Sequence, residues 1–555
     1  MRSFFILNSK FLILNSDSDN VWQMKKRTKI LTTLITIALL GGFVFVASGN
    51  VQALRGSGFV NSLPDGLRKA GKYSVLFFKD APSMLKTTFQ KKSLPTIHLK
   101  MKPTDIKTLN NITSDDEYQT RGKLWRDGEV TFNGEEYKAR VRLRGDTSSH
   151  WAYAKKSWRI ELKKNKTILG HSTLNLIVPE DRLYVMEWLN NERAKKMNLL
   201  VPDAQFVTMT LNEKKMGPYI AFEHVDNDFL IKHDLSEGTI LFGEDGVNEP
   251  IFSNAGYWSI KAGDPNASFQ PLANLLELLN ESSDDIFYQK LKEIVDIENL
   301  ATWHAHSILA GSNHQDWAHN MRIYYSPEDR KLRFMPWDVL FEELHRENMI
   351  DRKYNPLLDR LVNVQEYQIL RGKILWNITS NQEWKTNDTA NFQQAIQTMK
   401  PALFWDRKKE VTNTAIQTAF DTYAQLRDTN ISLIKDEIQN FKIYAHTSWN
   451  TNNTIAEIKI TTQSGAPYKI MEWNADTPFS IYDGNGKRIS QPEIMANKII
   501  RDTHLLYTTF KTEPQTYTFK LRFNKPQTIR PEITLILKNL ISQKLHELPI
   551  TNVGY

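Results

Sequence analysis

Apolar residues recur with a period of two from about Leu94 to Val225, with a helical period from about Asp226 to Tyr444, and with a period of two again after about His446. A chain written in this order must segregate its strands from its helices, which points to an α+β architecture rather than interleaved βαβ units. In the first stretch, Thr96-Ile97-His98-Leu99-Lys100-Met101 alternates. Tyr137-Lys138-Ala139-Arg140-Val141-Arg142-Leu143-Arg144 does the same, with apolar and basic residues on opposite faces. Trp158-Arg159-Ile160-Glu161-Leu162 continues the pattern. One helix, at 183–197, places Met186, Leu189, Asn190, Arg193 and Met197 on one face. Strands at 206–211 and 219–223 flank a turn over 212–218 containing Gly217 and Pro218.

In the helical stretch, Ile297, Leu300, Ala301, His304 and Ile308 share a face, and Asp296 can cap the helix start. His304 therefore reads as a core histidine. The last stretch reads as a β-sandwich-like domain in which each strand buries one face. The expected divisions are a leader at 1–53, a connector at 54–93, a strand-rich lobe at 94–225, a helical lobe at 226–445 and an accessory β domain at 446–555.

The chain has 555 residues, of which 41% are hydrophobic, enough for a sizeable core. It contains no cysteine, which excludes a disulfide scaffold, a zinc finger, an iron–sulfur site and a cysteine nucleophile. The net charge of +8 is mild for this length and dispersed, so nucleic acid is not an expected partner.

Residues 30–47 carry no charge and follow Lys25, Lys26, Arg27 and Lys29. The basic flank predicts that everything after this run faces outward. With Met24 as the start, Val51-Gln52-Ala53 would suit a signal-peptidase cut; retained, the run would be a membrane anchor. Both readings export the protein. A buried core helix is the bland alternative.

The densest polar stretch is Gly311-Ser312-Asn313-His314-Gln315-Asp316-Trp317-Ala318-His319-Asn320. A hairpin follows, with strands at 321–325 and 331–335, then Pro336-Trp337-Asp338. Paired strands lie about 4.8 Å apart, so Asn320 before the hairpin and Asp338 after it can share one small ion. With Asp316 on the loop feeding the same end, the set offers hard oxygen ligands suited to magnesium or manganese. Phosphoryl transfer needs these parts, an acid for the nucleophile and an Asn and an Asp for metal. Two other readings stand: Asp316 as a simple turn cap, and His314, Asp316 and His319 as a transition-metal site for hydrolysis. A second candidate, Leu143-Arg144-Gly145-Asp146-Thr147-Ser148-Ser149 leading to Lys155-Lys156-Ser157-Trp158, is a loop and lysine able to grip phosphates, or else a hairpin with a solvated basic face.

These stretches together resemble the CotH kinase family, spore-coat kinases and their secreted relatives. Arg142 to Ser148 with Lys155-Lys156-Ser157-Trp158 resembles its RGNTS and KKSY elements. Asn212 to Glu223 resembles its N-G-x-x-x-G-x-Y-x-x-x-E segment, and Asp316, His319-Asn320 and Pro336-Trp337-Asp338 resemble its D…HN…WD core. Asp146 stands where the family has Asn, and Lys214 where Gly is common. The resemblance spans roughly 94–445 and implies a two-lobed, atypical protein-kinase-like fold. It implies ATP with Mg2+ or Mn2+ as cofactors, Lys156 (or Lys155) on the phosphates, Glu223 near the nucleotide, Asp316 as catalytic acid, and Asn320 and Asp338 on metal. The helix acid paired with Lys156 is either Glu187 or Glu192. The implied activity is transfer of the ATP γ-phosphoryl group to a hydroxyl of a surface protein or glycan. A non-catalytic surface-binding module and a metal-dependent hydrolase are the alternatives.

Overall fold

The computed structural model describes residues 65–90, 94–112, 114–164, 166–244, 250–279, 283–340, 356–494, 498–501 and 510–552. The uncharged run at 30–47, and with it the leader or anchor reading, lies outside them. Among the described residues no helix is long and apolar enough to cross a membrane.

The chain divides into two compact units. One comprises Met1–Phe89 with Lys409–Thr414, and the other Gln90–Lys408 with Ala415–Tyr555. The described part of the first is the helix Asp65–Thr87 with Thr88 and Phe89 after it, and the short 409–414 segment. Asp80 joins them: Lys409 Nζ lies 3.0 Å from its carboxylate, and the Asn413 amide donates to it at 2.8 Å.

The second unit begins with seven strands: β1 (Thr96–Met101), β2 (Arg126–Phe132), β3 (Glu135–Leu143), β4 (Trp158–Leu162), β5 (Thr173–Ile177), β6 (Ala204–Leu211) and β7 (Lys214–Glu223). They close into a barrel in the order β1-β2-β3-β4-β5-β7-β6, with β6 returning to β1 in parallel. Closure removes the exposed edges of the alternating strands. The apolar half of each alternation fills the interior, where Ile97, Val130, Val141, Trp158, Leu176 and Tyr219 are buried. The 212–218 turn shrinks to Asn212 and Glu213, both at positive φ, a two-residue hairpin turn that matches the strand twist. Gly217 and Pro218 belong to β7 instead, paired with Met209 and Thr208. The Asn212 side chain donates to the Met101 carbonyl and accepts from its amide, both at 2.8 Å, which ties the turn to β1.

The helix predicted from 183 spans Met186–Lys196, because Leu183 and Tyr184 hold left-handed backbone angles that a helix cannot contain. Its Trp188 covers the outer barrel face around Ile220 and Phe222. Beyond the barrel, β8 (Thr239–Gly243), β9 (Trp258–Ala262), β10 (Met321–Ser326) and β11 (Lys331–Phe334) form a second sheet in the order β11-β10-β8-β9. Helices surround it. One of them, Ile297–Ala310, is capped by Asp296 and ends at Gly311 with φ 68°, the left-handed turn that glycine permits. His304 is buried, 3.0 Å from the Tyr367 hydroxyl.

The C-terminal strands form a five-stranded sheet that includes Ile443–Trp449, Ile455–Thr462 and Gln515–Phe523, and a four-stranded sheet that includes Tyr468–Asn474 and Thr534–Asn539. The two sheets share one apolar core. That core is continuous with Ile308, Leu375, Ile434 and Ile438 on three helices. The chain is thus an α+β protein with C-terminal sheets.

Candidate functional site

The 311–320 loop is fixed by one buried amide. Gln315 accepts from Trp303 Nε1 at 3.0 Å and donates to the carbonyls of Asn320 (3.1 Å) and Met335 (2.9 Å). It therefore ties the preceding helix, the entry of the β10–β11 hairpin and its exit into one assembly. Arg322 on β10 stacks over Phe242 and Trp337, 3.5 and 4.7 Å from the ring centres, and so seats the residue before Asp338. The Asn190 amide holds the residue after it, donating to the Val339 carbonyl at 2.9 Å.

Asn320 and Asp338 meet at His314. The Asn320 amide nitrogen is 3.3 Å from His314 Nδ1, and an Asp338 carboxylate oxygen is 3.2 Å from the same nitrogen. Both residues sit at positive φ, 63° and 53°, which Asn and Asp tolerate and which recurs at functional sites. Arg182 forms an ion pair with the other Asp338 oxygen. Burial and the Arg182 charge push the His314 pKa down, and the His319 charge adds to this while Asp316 opposes it. The Asp316 carboxylate accepts the amides of Ala318 (2.8 Å) and His319 (3.0 Å) and meets the His319 ring at 2.7 Å. It has the turn-capping role, and it lies on the loop that carries Asn320.

Asp338 and Trp337 line a cleft with Arg144, Asn175, Arg182 and Glu187. One wall is the outward face of the barrel. Arg142, Arg159, Asn175 and Phe222 form one cross-strand row over β3, β4, β5 and β7. Arg144 starts the next row, its amide donating to the Ser157 carbonyl at 3.1 Å. The loop after Arg144 is anchored to Asp181: Ser149 Oγ donates at 2.6 Å and His150 Nε2 lies 3.1 Å away. Gly145 is required here, because its φ is +100° and a Cβ would lie 2.0 Å from the His150 ring. Arg182 also pairs with Glu187 at 3.0 Å, and burial pushes the Glu187 carboxyl up against the opposing pull of Arg182 and Arg144.

Three expected residues stand apart from this cleft. Lys156 is buried, and its ammonium donates to the Trp151 carbonyl. Lys155 forms a buried ion pair with Asp406 at 2.7 Å. Gly217, at φ +91°, makes room for that carboxylate, which a Cβ would meet at 2.5 Å. Neither lysine lines the cleft with Asp338. Of the two helix acids, Glu187 pairs with Arg182 and Glu192 with Lys195. Glu223 ends β7 one residue after cleft-facing Phe222, so its side chain takes the opposite face. There it meets His171 at 3.1 Å and Lys232 at 3.3 Å. Burial raises the Glu223 carboxyl, but hydrogen bonds from His171, His233 and the Asp203 amide outweigh it and hold the pKa well below the usual range.

The hydrolase reading needed three ligands from His314, Asp316 and His319. Among the described residues, the group of three His, Asp or Glu whose ligand atoms lie within 4.8 Å of one another is instead His171, Asp203 and Glu223. Lys195 (2.9 Å) and Lys232 already neutralise Asp203.

The residues that sequence reasoning passed over are Arg182 and Asn175; Gln315 and the outward arginines lay in stretches it singled out, but without a role of their own. The alternation of Arg140, Arg142 and Arg144 was the available signal for the last.

Comparison with known proteins agrees with the D…HN…WD resemblance. The inner spore coat protein H of Bacillus subtilis (strain 168) is 25% identical over 236 residues, covering 39% of this chain and 64% of that protein. The chain therefore spans a little under two thirds of that relative's length. The family model described as CotH kinase protein matches residues 141–378, a span that holds Arg142, Arg144, Arg159, Arg182, the 311–320 loop and Asp338. Residues 141–378 are therefore similar to the CotH kinase protein family.

Proposed function

We propose that the protein is an ATP-dependent phosphotransferase that modifies a hydroxyl group on a protein or glycan outside the cytoplasm. The observation that carries this reading is the meeting of Asn320 and Asp338 at one ring nitrogen of His314, at the end of an arginine-lined cleft. Asn320 turns its amide nitrogen to His314; its amide oxygen and the Asp338 carboxylate are hard donors, a set that fits magnesium or manganese. Asn320 and Asp338 would hold that ion, and His314 and Arg182 orient Asp338. A bound divalent ion would neutralise charge on the phosphates.

The chain's own residues supply the rest. Asp316 is held by two backbone amides, so its carboxylate has a fixed direction from which to accept the proton of an acceptor hydroxyl. Positive side chains along the cleft wall offset phosphate charge as the acceptor approaches. A two-lobed kinase arrangement is part of this proposal, with the barrel as the strand-rich part and the helices around β8–β11 as the other. Export through 30–47 also belongs to it, supported by the basic flank and by a relative named for the spore coat.

The test is incubation of the purified protein with γ-labelled ATP and either metal ion, in the presence of surface protein and glycan fractions. Label transfer that needs Asp338 and a divalent ion supports the reading. Absence of transfer with ATP and metal both bound would leave the surface-binding module in front.

A further inference from the structure

Arg142, Arg144 and Arg159 stand on the outward barrel face, two in one cross-strand row and the third at the start of the next. Among the described residues, no carboxylate lies within 4.0 Å of any of their guanidinium groups. The contrast with other arginines of the same unit is sharp. Arg140 pairs with Glu161, Arg182 with Glu187 and Asp338, Arg193 with Asp388, and Arg322 with Glu244. Arg159 has only a neutral partner, its Nε donating to Asn175 Oδ1 at 2.8 Å. Arg142 Nε is buried with no hydrogen-bond partner.

Three adjacent cations with no carboxylate in contact, offset only at longer range by groups such as Asp146 and Glu187, are unfavourable in a partly buried position unless an anion completes the site. The strain is visible in their acidity. Burial, then the neighbouring Arg182, brings the Arg144 pKa down to about 10 against the opposing pull of Glu187, Asp181 and Asp146. Burial, then Arg142 and Arg144, brings Arg159 down to about 9. Planar guanidinium forks match phosphate oxygens two at a time. Adjacent strands are about 4.8 Å apart and successive outward residues about 7 Å, so the trio suits a chain of phosphates rather than a single one.

We propose that Arg142, Arg144 and Arg159 form the subsite for a polyphosphate chain, running from Arg159 to Arg144 with its end towards Asp338. Arg144 and Asp338 line the same cleft, and Arg159 opens at the other side onto a groove beside Trp125 and Lys261. The nucleotide as owner of the chain rests on the phosphotransferase reading above; the phosphate chemistry does not. On this inference the phosphate-gripping cations are arginines of the barrel face, and Lys155 and Lys156 serve the fold.

Calorimetry on the full-length protein with inorganic tripolyphosphate, ATP and adenosine tests this. Tripolyphosphate and ATP should both bind, and adenosine much more weakly. Arg142→Gln and Arg159→Gln should each weaken both phosphate ligands by about tenfold or more, as loss of a charge-assisted contact does. Arg330→Gln, which removes the same charge at the exposed hairpin turn, should change neither. Removing an uncompensated arginine should also raise the unfolding temperature of the ligand-free protein, a result that a supporting structural role would reverse. Arg159→Lys, which keeps the charge but not the fork, should bind with intermediate affinity.

Unchanged tripolyphosphate affinity in a folded variant combining Arg142→Gln with Arg159→Gln would overturn the subsite, as would a parent protein that binds ATP but not tripolyphosphate. Tight binding of both ligands that depends on the arginines, but without any phosphoryl transfer, would keep the subsite and sink the phosphotransferase reading instead.

Discussion

His314 Nδ1 lies 3.2 Å from a carboxylate oxygen of Asp338 and 3.1 Å from the carbonyl oxygen of the same residue. One ring nitrogen thus reads both the side chain and the backbone of Asp338, which fixes its direction. His314→Ala should loosen Asp338 without removing it. Activity should fall about 10- to 100-fold, as for other residues that orient a metal ligand, with a matching rise in the metal concentration needed. Titration of activity against Mg2+ or Mn2+ distinguishes this from Asp338→Ala, for which added metal should restore nothing.

Asp316 has two tasks that substitution can separate. Its carboxylate caps the loop by accepting the Ala318 and His319 amides, and an asparagine can do the same. Asp316→Asn should therefore leave the unfolding temperature and ATP affinity near those of the parent and lower transfer by at least about a hundredfold, the scale of a lost general base. Near-normal transfer by this variant would return Asp316 to a capping role alone.

The Lys155–Asp406 pair has side chains only 3% and 1% exposed. Removing one partner of such a pair strands the other charge, which costs roughly 3–5 kcal/mol. Lys155→Met should show that loss in urea unfolding, and Lys155→Met combined with Asp406→Leu should recover much of it. Should Lys155→Met instead leave stability intact and abolish ATP binding, the family-based role for this lysine pair would stand.

Acid sensitivity follows from His306. It is fully buried, with Nε2 2.8 Å from the Asn190 carbonyl, and burial lowers its pKa to about 4 against the raising effect of that hydrogen bond. The unfolded chain takes up the proton near pH 6.5, the folded chain only near 4. Stability should therefore fall as pH drops through that window, by up to about 1.4 kcal/mol per pH unit for this one group. His306→Gln should flatten the curve of unfolding temperature against pH between 6.5 and 4.5. The Glu223 contribution enters only below the latter value, since its folded pKa is depressed from the carboxylate range.

Truncation at residue 445 should fail. The apolar core of the C-terminal sheets is continuous with Ile308, Leu375, Ile434 and Ile438, and Ile541 packs against Gly372 of the 365–380 helix. A shortened chain would expose that surface. Its expected behaviour is aggregation, and dye binding to exposed apolar surface with loss of cooperative unfolding would report it. A soluble, cooperatively folding fragment would show the sheets to be a separable module.

The sequence by itself determined the local structure. Alternation placed the strands, because a strand with one buried face must repeat every two residues. Asp296 and Gly311 marked the ends of one helix, and the hairpin between Asn320 and Asp338 brought those two residues to the same open end, since pairing register depends only on neighbours in the chain. Tertiary structure decided what chain-local patterns do not encode. Closure of seven strands into a barrel turned the basic side of β3 and β4 into the wall of a cleft. An alternating Arg-x-Arg-x-Arg reads the same whether its charged face meets water or a ligand. The partners of Lys155 and Glu187 were likewise set by packing: Asp406 lies 251 residues away from Lys155, and Arg182 reaches Glu187 and Asp338 together. Pairing of this kind depends on which side chains burial forces together.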